Sequence, residues 1–184
     1  MEQIDIYDQF GEPTGVVRDK EAPLGPDEYR MAVGMWIVDK SGRLFLTRRS
    51  PKKRYAPGKW ENPAGHVQAG ETPIHGVIRE LFEETGLTVA ESQIQLLGCS
   101  CSWPYLGRDY GVYMNVNLDE VRFQKGETCG AKWVTFQEFA QMAQAGEFAP
   151  SLTQHMRGYR QAFLEFTGNS HSQALDFLIG EENK

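Results

Sequence analysis

Long apolar runs are missing from this chain. None of its hydrophobic stretches approaches the roughly 20 residues that cross a bilayer, so a membrane protein is not expected. A basic-then-apolar leader is missing too, because Met1-Glu2-Gln3-Ile4-Asp5 turns acidic at once. Cysteine is scarce. Cys99, Cys101 and Cys129 are an odd number in a chain of 184 residues, too long to need disulfide staples, which predicts a reducing, cytoplasmic setting. Cys99-Ser100-Cys101 has no second pair at ligand-like spacing, so ordinary strand or loop cysteines are expected rather than a zinc site. Positive charge is in deficit: the formal net charge is −6, which argues against a nucleic-acid polymer as partner. The local exception is Arg48-Arg49-Ser50-Pro51-Lys52-Lys53-Arg54, with five cations in seven residues. Alone it reads as a solvated loop; just ahead of a carboxylate cluster it reads equally well as a phosphate-binding segment.

What is present suits one folded domain. Hydrophobic residues make up 40% of the chain and aromatics 11%, enough for a core. Residues 3–18 read as a hairpin, with Ile4, Ile6 and Tyr7 on one arm and Val16 and Val17 on the other. Met31–Val38 is an apolar strand, and Arg43–Arg48 returns with Leu44 and Leu46 alternating. Lys52–Pro63 reads as loop. Further strands are expected at Ile94–Cys99, Gly111–Leu118 and Ala131–Thr135, and helices at Phe136–Ala145 and Ser151–Phe166. The pattern predicts a mixed α/β or α+β domain over residues 1–168, its core at about 30–150, followed by a tail at 169–184 with a docking segment at Ala174–Ile179.

Thr72–Thr85 carries the clearest helical signal. Thr72 can cap it, Pro73 suits its first position, and Gly86 can end it. Ile74, Val77, Ile78 and Leu81 form the apolar stripe. At about 100° per residue, Glu80, Glu83 and Glu84 share the opposite arc. Three carboxylates on one face repel one another by only a few tenths of a kcal/mol per pair, so crowding alone fits a charged surface. The glycine-rich loop before them ends in a fourth acid, Glu71, and hard cations such as Mg²⁺ or Mn²⁺ take several oxygen ligands from one rigid element. Arg79 lies beside this face and can pair with Glu71 or Glu83. Gly76 also falls on it, leaving either room for metal and phosphate or a close helix–loop contact.

From Gly65 to Leu87 the chain resembles the Nudix box: Gly, five residues, Glu, seven residues, Arg-Glu, an aliphatic, any residue, Glu-Glu, any residue, Gly, an aliphatic. Gly65, Glu71, Arg79, Glu80, Glu83, Glu84 and Gly86 meet the fixed positions, with Leu81 and Leu87 at the aliphatic ones. The likeness extends over about residues 3–150. The hairpin and the Arg48-Arg49-Ser50 approach are similar to the branch holding isopentenyl-diphosphate isomerases and their hydrolase relatives. The resemblance implies a Nudix α/β/α sandwich with a mixed sheet, here with an N-terminal hairpin and C-terminal helices. It implies hydrolysis of a small-molecule diphosphate, typically a nucleoside diphosphate linked to another moiety, with Mg²⁺ or Mn²⁺. Glu83 and Glu84 would be the principal metal ligands, Glu80 a ligand or the base, the Ala64 carbonyl a further ligand, and Glu71 and Arg79 the groups that orient them. Glu127 is the candidate for an additional acid after the box, with Glu120 second. Arg48, Arg49, Lys52, Lys53 and Arg54 are candidates for phosphate contacts, and Trp103 and Tyr105 for a stacking wall, with a packed rim as the other reading. No catalytic role is expected of His66, His75, His155 or His171.

Two other functions stay in view. A prenyl-diphosphate isomerase of this type places a cysteine shortly after the tryptophan preceding the box; here Glu61-Asn62-Pro63-Ala64-Gly65-His66 follows Trp60. A non-catalytic ligand-binding module commonly loses box glutamates, and all are intact here. Family members are often dimers, and the sequence leaves a homodimer open.

Overall fold

Alternation along one strand decides how the layers form. In β3 (Arg30–Val38), Met31, Val33, Met35 and Ile37 turn to one core while Trp36 and Val38 turn to another, so the strand is buried on both faces. The computed structural model describes residues 2–178. Around β3 lie β4 (Leu44–Arg49), β5 (Trp60–Glu61), β6 (Ala64–His66), β7 (Gln95–Ser102), β8 (Tyr105–Tyr113) and β9 (Thr128–Val134), in a seven-stranded sheet of path β5-β4-β3-β8-β7, with β6 on β3 and β9 on β4. The β3–β8 pair is parallel and the others antiparallel, giving a mixed sheet. β1 (Gln3–Tyr7) and β2 (Pro13–Asp19) form a separate hairpin whose buried Ile4, Ile6 and Tyr7 face the domain; Val16 and Val17 are exposed.

Helix α1 (Pro73–Thr85) covers one face of the sheet through Val77 and Leu81. The opposite face is covered by α2 (Phe136–Gln144), α3 (Pro150–Met156) and α4 (Arg160–Phe166). There Trp36 meets Phe139 and Phe163 at ring separations of 5.6 and 4.6 Å. Each fully buried side chain of that size contributes ~1.5–3 kcal/mol, which holds the layers together. The α/β/α sandwich is thus present.

β3 and β4 touch in register only at Val38↔Leu44 and then splay. The short strands line the resulting opening, β6 against β3 and β5 against β4. That gap places the site.

Several boundaries differ from expectation. The strand expected at 111–118 runs instead from Tyr105 to Tyr113, because β7 returns into β8 immediately at Ser102↔Tyr105. Polar Arg108 and Asp109 hide that strand from a hydrophobicity reading. The 52–63 loop contains β5 at its end. The helix expected over 151–166 is interrupted by a tighter turn at Arg157–Tyr159. Gly158 explains the interruption: a Cβ there would stand 2.5 Å from the Cys99 carbonyl, so the chain dips onto β7. In the tail, Leu175 and Leu178 enter the core; Ile179, the last residue of the expected docking segment, lies outside the described residues.

Candidate active site

Local signals position α1. Thr72 Oγ1 accepts the His75 amide at 3.4 Å, Pro73 opens the helix, and Gly86 closes it at φ 72°, its N–H donating to Phe82 O at 2.8 Å. The face toward β6 carries Gly76, Glu80 and Glu84, all buried; Glu83 lies at the rim, its side chain 39% exposed. Gly76 proves to be a close helix–loop contact and not an opening for phosphate: a Cβ there would be 3.2 Å from Glu71 Oε2 and 3.3 Å from Val67. Gly65 is required for the same closeness, since any side chain on it would collide with the Glu80 carboxylate.

Arg79 gathers the acids. Its guanidinium donates to Glu71 at 3.0 Å through both Nε and Nη2, to Glu80 at 2.9 Å, to Glu83 at 3.3 Å and to the His66 carbonyl at 2.8 Å. Burial works against the Glu71 charge, but Arg79 and the Gln68 amide hold its pKa below the ordinary carboxylate value. Burial also works against the Arg79 charge, which Glu71 and Glu80 more than restore.

Glu84 differs. Among the described residues its side chain accepts one hydrogen bond, from the Ala64 amide at 3.3 Å, and burial, with Glu61 and Glu80 nearby, raises its pKa well above the usual carboxylate range. Burial raises Glu80 as well, against the pull of Arg79. Glu61 is likewise raised by burial, against Arg49, whose Nη1 donates to both of its oxygens at 2.8 and 2.9 Å. The opening between β3 and β4 therefore holds an excess of buried carboxylate over cation. As the side chains stand, no three His, Cys, Asp or Glu among the described residues close into a metal-binding group. The donor set still fits a hard divalent ion: oxygen ligands throughout, and a buried Glu84 with no cation of its own.

Around this centre the expected contacts divide. Lys53 pairs with Glu127 and bears electrostatically on Glu61 and Glu84, so both Lys53 and Glu127 reach the edge of the cluster. Arg49 is committed to Glu61 and the Tyr55 carbonyl. Arg48 turns to Gly58 O at 3.0 Å and over the Trp60 ring, while Lys52 and Arg54 are exposed. Glu120 accepts from the Asn117 amide at 3.2 Å on an exposed turn. Trp103 projects at the β7–β8 turn, 56% exposed; Tyr105 lies against His66, the rings tilted with centroids 5.7 Å apart. Glu61 had no expected role, although it follows directly on the Trp60 of the family-like approach segment. Lys20 and Arg30 were missed as well: both bear on His66, and Lys20 also on Glu80. Only folding brings them here: Lys20 through hairpin contacts such as Ala69 N to Gln3 O at 2.9 Å and Gly70 N to Asp5 Oδ2 at 2.8 Å, and Arg30 as the first residue of β3, close to the Ala32–His66 pair. His66 itself is pushed down to about 3 by burial and by these cations, so it is neutral near pH 7.

A model of the NUDIX domain matches residues 28–156. The chain belongs to the Nudix family. This Nudix chain is 28% identical over 156 residues to a Nudix hydrolase of Listeria monocytogenes, a match covering 82% of this chain and 89% of the relative. It is also 28% identical over 170 residues to an isopentenyl-diphosphate Delta-isomerase of Brevibacterium linens, covering 84% and 90%. A crystal structure from Deinococcus radiodurans superposes with a TM-score of 0.69, covering 93% of this chain and all of the other; at 20% identity the likeness is one of fold.

Proposed function

We propose that this Nudix chain is a Mg²⁺- or Mn²⁺-dependent hydrolase that cuts the phosphoanhydride of a small molecule, a nucleoside diphosphate linked to another moiety. One observation carries the reading: Glu84 is buried beside Glu80 and Glu61 with no cation in contact among the described residues, in an intact Nudix box. Glu80, Glu83, Glu84 and the Ala64 carbonyl would hold the ion. When bound, it neutralises diphosphate charge and lowers the pKa of a coordinated water. Arg79 holds Glu80 and Glu83 in place, so the ligand carboxylates are oriented before substrate arrives. Lys53, Lys20 and Arg30 set a positive rim for the remaining phosphate charge, with Arg48, Lys52 and Arg54 farther out. Glu127 and Glu61 are further acids within reach of that rim.

A polar aromatic strip supports the nucleoside part. Ala32, Ala64, His66, Tyr105 and His155, all partly exposed, share the sheet face that carries α3. Neutral imidazoles and a phenol suit a flat, hydrogen-bonding group better than a hydrocarbon tail. Isomerisation is disfavoured because Ala64 stands within the stretch where the isomerase type carries its cysteine acid. Trp103 extends the rim next to Tyr105. The substrate is a small molecule in this reading.

The test is a panel of nucleoside diphosphate derivatives, nucleoside triphosphates and prenyl diphosphates with and without Mg²⁺, read by phosphate or nucleotide release. The expected result is metal-dependent release from nucleoside diphosphate derivatives. Turnover restricted to prenyl diphosphates, or none with any compound, contradicts the proposal.

A further inference from the structure

We propose that Asp109 is a positioning residue for the metal-binding loop: it fixes Asn62, and through it the Ala64 carbonyl, to the C-terminal helices. The inference rests on the reading of Ala64 and the box glutamates as a metal site. It concerns a fully buried acid that the chemistry above does not use.

Asp109, Gly34 and Ala64 lie side by side across three strands, Gly34 pairing with Asp109 on one side and with Ala64 on the other. Because the middle residue is glycine, two side chains close over it. A Cβ on Gly34 would stand 2.6 Å from Asp109 Oδ1 and 2.7 Å from Asn62 Nδ2. Both residues are buried, at 5% and 3% exposure. Asn62 Nδ2 has no well-formed hydrogen bond, and Asp109 is the polar group it faces. The meeting is an electrostatic contact whose geometry falls short of a full hydrogen bond.

The other side of Asp109 faces the Tyr159 hydroxyl, which in turn accepts the Trp36 indole N–H at 3.0 Å. Tyr159 lies in the tight turn between α3 and α4, so the relay runs from the C-terminal helices through Asp109 to Asn62. From Asn62 the chain has little freedom. Glu61 is clamped by Arg49, the Pro63 carbonyl accepts the Met35 amide at 2.9 Å, and the Ala64 amide meets Glu84. Asn62 is the member of this segment that meets the buried Asp109 side chain from across the sheet. An apolar layer there would pack at lower desolvation cost, so the buried polar chain needs a reason beyond stability. Orienting the segment that presents Ala64 supplies one, as hydrogen-bonded partners behind metal ligands commonly do.

The experiment is Mn²⁺ binding to the purified full-length chain without substrate, followed by the electron paramagnetic resonance signal of free Mn²⁺, with melting temperatures recorded alongside. Asp109→Ala is expected to weaken binding by ~10–100-fold, the usual range for a group behind a metal ligand. Asp109→Asn should recover part of the loss, because its carbonyl can still face the Asn62 amide. Tyr159→Phe keeps the ring and deletes only the relay hydroxyl, and Gly34→Ala wedges Asp109 from Asn62; both should weaken Mn²⁺ binding. Met156→Ala, in the same packed layer but outside the relay, should lower the melting temperature and leave Mn²⁺ affinity as in the wild type. Wild-type affinity in folded Asp109→Ala, or a loss no greater than that of Met156→Ala, would overturn the inference. If Asp109→Ala does not fold, Tyr159→Phe and Gly34→Ala decide it by the same criterion. Failure of the wild-type chain itself to bind Mn²⁺ would remove the metal-site reading and this inference together.

Discussion

Glu80 and Glu84 sit one helical turn apart, yet their surroundings differ: Arg79 donates to the first, and the Ala64 amide is the hydrogen-bond donor to the second among the described residues. A carboxylate buried without a counter-ion is costly, and its raised pKa is that cost expressed as proton affinity. Glu84→Gln removes the charge and keeps the shape. It should abolish most metal-dependent turnover, by at least about 10³-fold or ~4 kcal/mol of transition-state stabilisation. The same change should raise the melting temperature of the metal-free protein above neutral pH, by roughly 2–4 °C for each kcal/mol gained. Steady-state rates and a thermal melt check the two halves, and a drop in both would mark Glu84 as a structural group instead. At this scale the sequence was informative about the glutamates because helical spacing alone puts them on one face. It was silent on Lys20 and Arg30, which lie more than 40 residues before that helix and reach the site through the hairpin and through β3 respectively.

Helix α1 and strand β6 approach so closely that glycine is needed between them, and β7 meets the turn before α4 in the same way. Two substitutions at these contacts differ in how much packing they cost. In Gly65→Ala the new methyl meets the end of the Glu80 side chain, which can swing aside, so turnover and Mn²⁺ affinity should fall much further than stability. In Gly98→Ala the methyl would stand 2.5 Å from Tyr159 Cβ, next to backbone that cannot yield, and the expected result is ~1–3 kcal/mol of destabilisation. Comparing melting temperatures with Mn²⁺ affinities for the pair checks this; equal losses of stability would contradict it. Among the elements, α1 was legible to its caps because Thr72, Pro73 and Gly86 act locally. β8 was misplaced because its site-facing residues are glycine and a buried acid, Gly107 and Asp109, whose burial depends on α3 and the turn after it. The break between α3 and α4 was hidden for a related reason: the apolar spacing of Leu152, Met156, Tyr159 and Phe163 runs through it, and only contact with β7 forces the turn.

Across the whole molecule the buried ionisable groups oppose one another with pH. The acids Glu61, Glu80, Glu84 and Asp109 have raised pKa values in the folded state, Asp109 at about 7, so the folded protein binds their protons more tightly than the unfolded chain does. Stability is therefore lost as pH rises from the ordinary carboxylate values through the raised ones. His66 and His155 are depressed in the folded state, so stability is also lost as pH falls below their ordinary value of 6.5. The metal-free protein should thus melt lower at pH 8 than at pH 6, and excess Mg²⁺ should recover much of the loss at pH 8 by binding the ionised glutamates. Melting curves at both pH values, with and without Mg²⁺, check the sign; a metal-free protein that gains stability steadily up to pH 8 would contradict it. The mixed α/β class was readable from the strand and helix pattern and the sandwich came with the Nudix resemblance, whereas the gap that frames the site arises from β3 and β4 splaying, which no local residue signals.

The decisive measurement is anomalous scattering from a crystal soaked in Mn²⁺. Density for an ion touching the carboxylates of Glu80 and Glu84 and the carbonyl of Ala64 is the predicted result. A crystal saturated with Mn²⁺ that shows none at that position, with Glu84 still hydrogen-bonded only to the Ala64 amide, would contradict the reading of this cluster as a metal centre.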